Sequence, residues 1–572
     1  MKSPKRTYAL AVVAAGTILS LPSWLLGFAP AGDDSVSHAV WYAHFSRQFW
    51  AGELYPRWLA DMNAGLGSPV FYYYAPLPYY CASLLSPLFP ANVSTLRPLG
   101  VAAALAVVLS GLSAYLWLRK ISDEKSAAVG ALVYVAAPYH LAFDLYMRDA
   151  LAEVFAFVWL PLVMHFARGV REGRKPAAVC LSASYALLVL THLPTTVIFS
   201  AVPVAYVLFT AESGRRIRAL FATLGAMALG AGVAAVYLVP ALAMRAYVSL
   251  GEMGGHLYYE RFVPSVTANP LRHEGKILWC VLTTLALTIC AHVAPRGRSA
   301  VGRSERGFWL AVACAGVFML TAASDAVWRL APALQSVQFP WRFNVVLCLA
   351  AAAVAALSLH SLGETGARAG RVAVGVACVM LAGWIALTSL CLWQSYGDRA
   401  MAREYTRGVG VWVALGRDVP EYRPATALSN SPAYFERLAR RFCREGEALA
   451  RACVVEGEGA LEVGLWQPRR VALSVSSPRG VVIDARQFYF PGWVARLDGR
   501  PHPLRPSSPD GLIRLDVPAG DHRVELTLTR AAPELAGEIV SALSLASLLA
   551  WALYARRRGG LAREGAGDAP DC

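Results

Sequence analysis

Side chains that could carry out acid–base or ionic chemistry are concentrated in four short stretches between long apolar runs. They are GDDS with Asp33 and Asp34, YMRDALAE with Arg148, Asp149 and Glu153, THLPT with His192, and QFPWR with Gln338 and Arg342. A carboxylate or an imidazole can take a proton from a reacting hydroxyl. Arginine binds phosphate through two oxygens at once. The four stretches therefore predict a site for proton transfer beside an anionic group.

Each stretch also has a purely structural explanation. Asp34 could cap the helix that follows it, and Arg148 with Asp149 could form a structural ion pair. His192 could form a hydrogen bond with an unpaired backbone group at a helix end. Arg342 could anchor its helix at the membrane interface. Because charges at membrane depth are costly, we expect Asp149 to be functional.

The bulk composition indicates a polytopic membrane protein. The 572 residues are 56% hydrophobic and 16% charged, with a mean hydropathy of +0.44. Apolar runs of about 20 residues, long enough to cross a bilayer, recur along the chain. The net charge of +15 comes from short basic clusters between these runs, as the positive-inside rule predicts. We therefore expect no nucleic-acid partner.

Seven basic clusters set the predicted topology. If all seven are cytoplasmic, as is the N-terminus, even numbers of spans must separate them. The segment 69–89 contains four prolines, with a fifth directly after it, and many tyrosines, so we expect it to lie in the outer leaflet rather than cross. About twelve crossing helices remain. They are predicted at 8–28, 98–118, 126–143, 151–168, 177–192, 194–211, 217–243, 277–294, 307–323, 341–361, 371–395 and 535–554.

Three regions are predicted. Residues 1–396 form the helical membrane module, with a large external loop at 29–97. Residues 397–534 form an extracytoplasmic β-rich domain, because period-2 stretches such as RRVALSVSS and HRVELTLTR are typical of an antiparallel β-sandwich. Residues 535–572 form the last span and a cytoplasmic tail. A short helix is expected at 432–451, flanked by Cys443 and Cys453, which could be a disulfide or two free thiols.

Carboxylates beside a lipid surface suit transfer from a lipid-phosphate donor to a hydroxyl or amine. Asp34 or Asp149 could take the proton of the acceptor. Cations could hold the leaving phosphate, and the candidates are Arg57, Arg148, Arg245, Arg261 and Arg342. A divalent metal, Mg²⁺ or Mn²⁺, held by Asp33, Asp34 and Asp149 is an alternative.

The arrangement resembles the GT-C superfamily of membrane glycosyltransferases. An acidic pair opens the first external loop, and PVFYYYAPLPYYCASLLSPLF is similar to the proline-rich juxtamembrane helix of that class. The stretches LYMRDALAE, THLP, QFPWRF and FYFPGWVARLDGRPHPL more closely resemble a bacterial group. That group includes YfhO-type proteins and those called 6-pyruvoyl-tetrahydropterin synthase-related. The sequence has no soluble pterin-synthase domain and no zinc–histidine cluster, so pterin chemistry is not expected.

The resemblance implies a polyprenyl-phosphate-linked sugar donor, used with inversion on the outer face of a bacterial inner membrane. Carried onto this chain, Asp33 or Asp34 is the base or metal ligand, and Asp149 is the second-loop acid. The second loop reads Arg-Asp-Ala rather than Asp-x-Asp, which favours a metal-independent reaction.

Further residues are expected to bind the donor phosphate or the substrate, and the acceptor is a glycan, a lipid or a protein. These residues are Arg57, Arg148, Glu153, His192 and Arg342. Two alternatives are a transporter of lipid-linked glycans and a non-catalytic scaffold for envelope assembly.

The topology can be tested at Lys120 and Lys125, which belong to a basic cluster predicted to be cytoplasmic. An impermeant amine reagent added to intact cells should leave both lysines unmodified, and cell lysis should make them reactive. Modification in intact cells would mean that the segment 69–89 crosses the membrane.

Overall fold

The structure is a computed structural model of the chain. It describes residues 4–28, 32–90, 96–249, 255–263, 275–293, 300–363, 383–384, 388, 419–427 and 450–564. The α-helices are Pro4–Leu19, Leu21–Leu26, Ser35–Trp50, Met62–Gly65, Val70–Tyr73, Leu77–Leu85, Leu96–Leu118, Glu124–Val135, Leu151–Arg171, Lys175–Val189, Leu193–Phe199, Ala201–Thr210, Ser213–Val233, Ala235–Ala243, Gly275–Val293, Ala300–Met319, Asp325–Leu330, Pro332–Gln335, Asn344–Gly363 and Ala532–Glu564. One π-helix, Tyr139–Arg148, and short 3₁₀ turns join them.

Within the described residues, seven helices are long and apolar enough to cross a membrane, or eight if a bent pair counts as one span. The seven are Leu96–Leu118, Glu124–Arg148, Leu151–Arg171, Leu193–Thr210, Ser213–Val233, Pro340–Ser361 and Ala532–Ala555. The polytopic helical architecture is therefore confirmed. The number of about twelve spans stays a prediction, and most of the expected span at 371–395 lies outside the described residues.

Several predicted spans are interrupted, and two of them break at a serine. The first, at 8–28, is two helices that meet at Ser20, whose hydroxyl donates to the carbonyl of Gly16 at 2.7 Å. Pro22 opens the second of these helices. The span at 194–211 is interrupted in the same way at Ser200, which donates to Thr196. A serine bonded to the carbonyl four residues back bends a helix, and proline cannot continue one.

The proline-rich segment 69–89 forms short helices, Val70–Tyr73, Leu77–Leu85 and the turn Ser86–Leu88. None is long enough to cross a bilayer. Tyr72 and Tyr79 are buried, and the Tyr79 ring packs against Phe71 at 4.8 Å. Such burial is different from the interfacial placement expected from the sequence, because these rings contact protein.

The C-terminal strands form the predicted β-sandwich. They are β1 Ala452–Glu456, β2 Ala460–Gln467, β3 Arg470–Ser477, β4 Val481–Phe488, β5 Trp493–Leu497, β6 Arg500–His502, β7 Arg505–Pro506, β8 Leu512–Val517 and β9 Gly520–Leu528. One antiparallel sheet has the order β1-β4-β8-β7 and the other β2-β3-β9-β5-β6. Register pairs such as Leu473 with Val524 and Ile483 with Leu515 are buried. The alternation of apolar and polar residues thus gives each sheet one buried face.

The sandwich docks on the external segment through buried side chains. Trp58 donates to the side-chain oxygen of Gln487 at 2.8 Å. The amide nitrogen of Gln487 donates to the carbonyls of Ala60 at 3.0 Å and Gly65 at 2.8 Å. One glutamine therefore satisfies three polar groups of the segment it covers.

Several predictions for the region before the sandwich fall outside the described residues. They are the helix at 432–451 and the state of Cys443. The boundaries 1–396, 397–534 and 535–572 also stay predictions, as does the placement of the sandwich outside the membrane.

Replacing Gln487 tests the docking contact. Gln487→Ala leaves a buried indole N–H and two carbonyls without their partner. Losses of this kind cost about 1–3 kcal/mol per buried group, so the purified protein should unfold at a clearly lower temperature. Gln467→Ala makes the same change at an exposed strand position and should leave the unfolding temperature unchanged. Equal unfolding temperatures for the two variants would contradict the docking role of Gln487.

Candidate functional site

The site begins at a π-helix. Tyr139–Arg148 winds as a π-helix and ends at Asp149, whose φ of 55° is left-handed. π-helical turns are rare and occur frequently at functional sites. The helix Leu151–Arg171 starts just beyond. The spacing of four residues predicts that Asp149 and Glu153 share one helix face. The structure contradicts this prediction, because Asp149 lies before the helix begins.

Arg148 lies at the centre of a cluster of carboxylates. Its guanidinium contacts Asp144 at 3.0 Å, Glu153 at 3.0 Å and Asp34 at 3.3 Å. The side chains of Asp144 and Glu153 are inaccessible to solvent, whereas that of Asp34 is 42% exposed. A buried guanidinium needs such partners, because an unpaired charge inside a membrane protein is costly. Asp34 is thus the accessible end of an otherwise buried ionic network.

Glu153 connects Arg148 to a second arginine. Its carboxylate lies 3.4 Å from Nε of Arg342 and accepts a hydrogen bond from the Tyr139 hydroxyl at 2.8 Å. Three helical segments that are separated in sequence therefore meet at one carboxylate.

Arg342 is buried rather than extended to the membrane interface. Its guanidinium donates to the carbonyl of Val337 at 2.7 Å and to the side chain of Gln338 at 3.4 Å. It also lies over the Phe339 ring at 5.0 Å, a cation–π distance. The interfacial-anchor explanation of the QFPWR stretch therefore does not fit, because the side chain points into the protein.

The acidic pair, Asp33 and Asp34, is held by the main chain of Met147 and Arg148. The amide of Asp33 donates to the carbonyl of Met147 at 3.1 Å, and that of Asp34 donates to the carbonyl of Arg148 at 2.8 Å. Asp34 occupies the N-cap position of the helix Ser35–Trp50, but its side chain makes no capping hydrogen bond. Its carboxylate is directed to Arg148 instead of serving as the expected cap.

Asp149 is bound to the same helix start. The hydroxyl of Ser35 donates to Oδ2 of the Asp149 carboxylate. Gly32 makes room for this contact, since a Cβ there would lie 2.2 Å from the same oxygen. The structure therefore brings together Asp34, Arg148, Asp149, Glu153 and Arg342, with Asp33 exposed beside them.

Two histidines border the cluster and are held neutral. His192 contacts the Thr195 hydroxyl at 2.7 Å, and His38 contacts the Tyr79 hydroxyl at 2.6 Å. Burial lowers the pKa of His192 to about 3 and that of His38 to about 4. At neutral pH these imidazoles can take part through hydrogen bonds but bring no positive charge.

Arg57 lies apart from this cluster. Its guanidinium contacts Glu534 at 3.3 Å, Glu538 at 3.5 Å and the carbonyl of Val236 at 3.0 Å. These contacts bind the external segment to the last helix. The structure thus gives Arg57 a structural environment in place of the phosphate-binding role predicted from its sequence position.

Three members of the site were missed at the sequence level: Asp144, Tyr139 and His38. Asp144 had a usable signal, because it is an acid inside an apolar span, four residues before Arg148. Tyr139 and His38 had none, since each lies in a stretch with several other aromatic or histidine residues.

The charges of the cluster are unbalanced. Three carboxylates, from Asp34, Asp144 and Glu153, contact the guanidinium of Arg148, and Glu153 also contacts that of Arg342. Within the described ranges, no three His, Cys, Asp or Glu side chains converge as metal ligands. Asp33, Asp34 and Asp149 thus do not form such a group among these residues, and the metal alternative stays a prediction.

The sequence was compared with known families. Residues 71–396 match the family model of the 6-pyruvoyl-tetrahydropterin synthase related domain, described as a membrane protein. The match covers more than half of the chain. The chain belongs to the 6-pyruvoyl-tetrahydropterin synthase related family. The matched range contains the π-helix and Arg342 but neither the acidic pair nor the β-sandwich. No curated protein matches the sequence.

Three solved structures show a weak likeness to this family member. Arabinofuranosyltransferase AftD from Mycobacteria is 17% identical, with 68% of this chain and 27% of that chain covered, at a TM-score of 0.44. ArnT from Cupriavidus metallidurans bound to undecaprenyl phosphate is 15% identical, with 72% and 76% covered, at 0.40. Oligosaccharyltransferase AglB from Archaeoglobus fulgidus, in complex with an inhibitory peptide and a dolichol-phosphate, is 16% identical, with 68% and 56% covered, at 0.37. The chain spans about a quarter of the length of AftD, and scores below 0.5 do not establish a shared fold.

The ionic network predicts that two neutral substitutions destabilise the protein to different extents. Glu153→Gln removes a buried charge between two guanidiniums and should destabilise the protein by about 3–5 kcal/mol. Asp34→Asn removes a half-exposed partner and should cost no more than about 1 kcal/mol. Thermal unfolding of the two purified variants measures the difference. A Glu153→Gln variant as stable as wild type would contradict the network.

Proposed function

We propose that this protein is a membrane glycosyltransferase that moves a sugar from a polyprenyl-phosphate-linked donor to an envelope acceptor on the extracytoplasmic face. The acceptor is a glycan, a lipid or a protein with a free hydroxyl or amine. The bacterial inner membrane is the proposed location.

The observation that supports this proposal most directly is the state of Asp34. It is the accessible carboxylate of a network whose other members are buried. Its main chain is bonded to the second loop and its side chain to Arg148. A general base must be both reachable by the acceptor and fixed in direction, and Asp34 meets both conditions.

The reaction assigned to Asp34 is simple proton transfer. The carboxylate takes the proton from the acceptor hydroxyl or amine as that atom attacks the anomeric carbon. The bond between this carbon and the phosphate oxygen breaks, and the lipid phosphate leaves with both electrons. Attack from the face opposite the phosphate inverts the sugar carbon.

The two arginines of the network are not equivalent as phosphate ligands. Arg148 is already shared by three carboxylates, so an approaching phosphate would be repelled by them. Arg342 shares only Glu153, at 3.4 Å. We therefore assign Arg342 to the leaving phosphate and Arg148 to positioning Asp34.

Asp149 is assigned a positioning role rather than proton transfer. It is buried, and the hydroxyl of Ser35 donates to it at the start of the helix that follows Asp34.

The two alternative functions, transport and scaffolding, would require different arrangements of charged residues. A transport path would place charges through the middle of the spans. Asp144 is an acid inside a candidate span, but it lies four residues from the end of that span. A scaffold would need none of these carboxylates for its function.

Asp34→Asn tests the assignment of the base. In a strain that lacks the protein, this variant should restore transfer at least about a hundredfold less well than wild type, because an amide cannot take the proton. A mass profile of envelope lipids and glycans measures the product as one sugar mass gained.

Asp61→Asn is the matched control, since Asp61 is an exposed carboxylate of the same external segment that pairs loosely with Arg47. Asp61→Asn should restore the product fully. Asp33→Asn shows whether Asp33, the neighbour of Asp34, contributes to the transfer. Full restoration by Asp34→Asn would contradict the enzyme assignment and favour transport or scaffolding.

A further inference from the structure

A polar cavity lies at the end of the helical part that is opposite to the Arg148 cluster. It has a volume of about 480 Å³, and its polar lining consists of Arg171, Glu172, Thr210, Glu212, Arg215, Ser304 and Glu305. Glu153 and Arg171 belong to one helix, so the two sites are separated by roughly 27 Å along its axis. The size is within the usual range for small ligands.

Glu305 is an unusual member of this cavity. It is 2% exposed, and one of its oxygens, Oε1, accepts from Arg168 and Arg171 at 2.8 Å each and from the Tyr206 hydroxyl at 2.6 Å. Its other oxygen, Oε2, is buried and has no hydrogen-bond partner among the described residues. A buried acceptor without a donor is costly, so this oxygen favours a ligand that carries a donor.

The cavity also attracts anions. Arg215 is 65% exposed, and the nearest carboxylate, that of Glu212, is 4.0 Å away. The 21-residue helix Ser213–Val233 begins here, and Glu212 at its N-cap makes no side-chain capping bond. The positive end of a helix dipole and its free N–H groups favour a phosphate.

Two further carboxylates line the cavity, those of Glu172 and Glu212. Glu212 is 83% exposed and lies 4.0 Å from Arg215, whereas Glu172 is compensated more closely. Glu172 lies 2.8 Å from Arg168 and 2.8 Å from Arg174. It therefore opposes an incoming anion less than an unpaired carboxylate would.

The surroundings point to a lipid rather than to a soluble ligand. Phe209, next to Thr210, is exposed, as are Ile217 and Phe221 on the helix that carries Arg215. Exposed large apolar side chains on membrane helices face acyl chains. Basic pockets between membrane helices on the cytoplasmic side are known to bind anionic headgroups, and the basic clusters here are predicted to be cytoplasmic.

We propose that this cavity binds the headgroup of an anionic phospholipid that carries a hydroxyl, such as phosphatidylglycerol. The phosphodiester lies beside Arg215 and the start of the helix Ser213–Val233, because Arg171 is already bonded to Glu305 at 2.8 Å. A headgroup hydroxyl donates to Oε2 of Glu305. The acyl chains follow the exposed side chains of Phe209 and Phe221.

Native mass spectrometry of the full chain in detergent can test this with three probes. Phosphatidylglycerol should bind, and phosphatidylmethanol, with the same charge but no headgroup hydroxyl, should bind about tenfold more weakly. Glycerol phosphate, which has the headgroup without the chains, should not bind at the same concentration. Equal binding of the two lipids would overturn the role of Glu305, and tight binding of glycerol phosphate would overturn the lipid assignment.

A pair of variants locates the site. Arg215→Gln should weaken phosphatidylglycerol binding about fivefold. Arg218→Gln removes an exposed arginine from the same helix that does not line the cavity and should bind as wild type does. Both side chains are exposed, so folding should be unaffected. Equal loss of affinity in the two variants would mean that binding is a general surface attraction and would overturn the proposal.

Discussion

A guanidinium buried at the end of a membrane helix must be surrounded by acceptors, and this requirement organises the whole site. Arg148 satisfies it with Asp144 and Glu153 from its own region and with Asp34 from the first external segment. Losing a partner would leave an uncompensated charge in a medium of low polarity, which costs several kcal/mol. The network therefore fixes the relative positions of elements that are distant in sequence. It also leaves one carboxylate, that of Asp34, facing solvent.

The segment that carries Asp34 is itself held by elements that are distant in sequence. The β-sandwich covers it through Gln487, and the last helix binds it through Arg57 and Glu534. Both contacts use residues far away in the sequence. The sandwich therefore supports the shape of the segment that carries Asp34, although no nucleophile constellation is evident in its own sequence.

Periodicity and composition were enough to predict the helical membrane part and the sandwich, because burial of apolar surface dominates both. The candidate residues were found because charged side chains next to apolar runs are costly and therefore informative. Their partners were not predictable. The spacing of Asp149 and Glu153 suggested one helix face, but a left-handed residue separates them. The pairing of Arg57 with Glu534 depends on tertiary packing between segments hundreds of residues apart, and no local pattern encodes such a contact.

The most direct test of the account is an electron cryomicroscopy map of the full chain with a polyprenyl-phosphate-linked sugar bound. The account predicts that the phosphate lies beside Arg342 and that the sugar lies on the same side as Asp34, with room for an acceptor hydroxyl between the carboxylate and the anomeric carbon. A headgroup at the opposite end, beside Arg171, or a sugar directed away from Asp34, would contradict it.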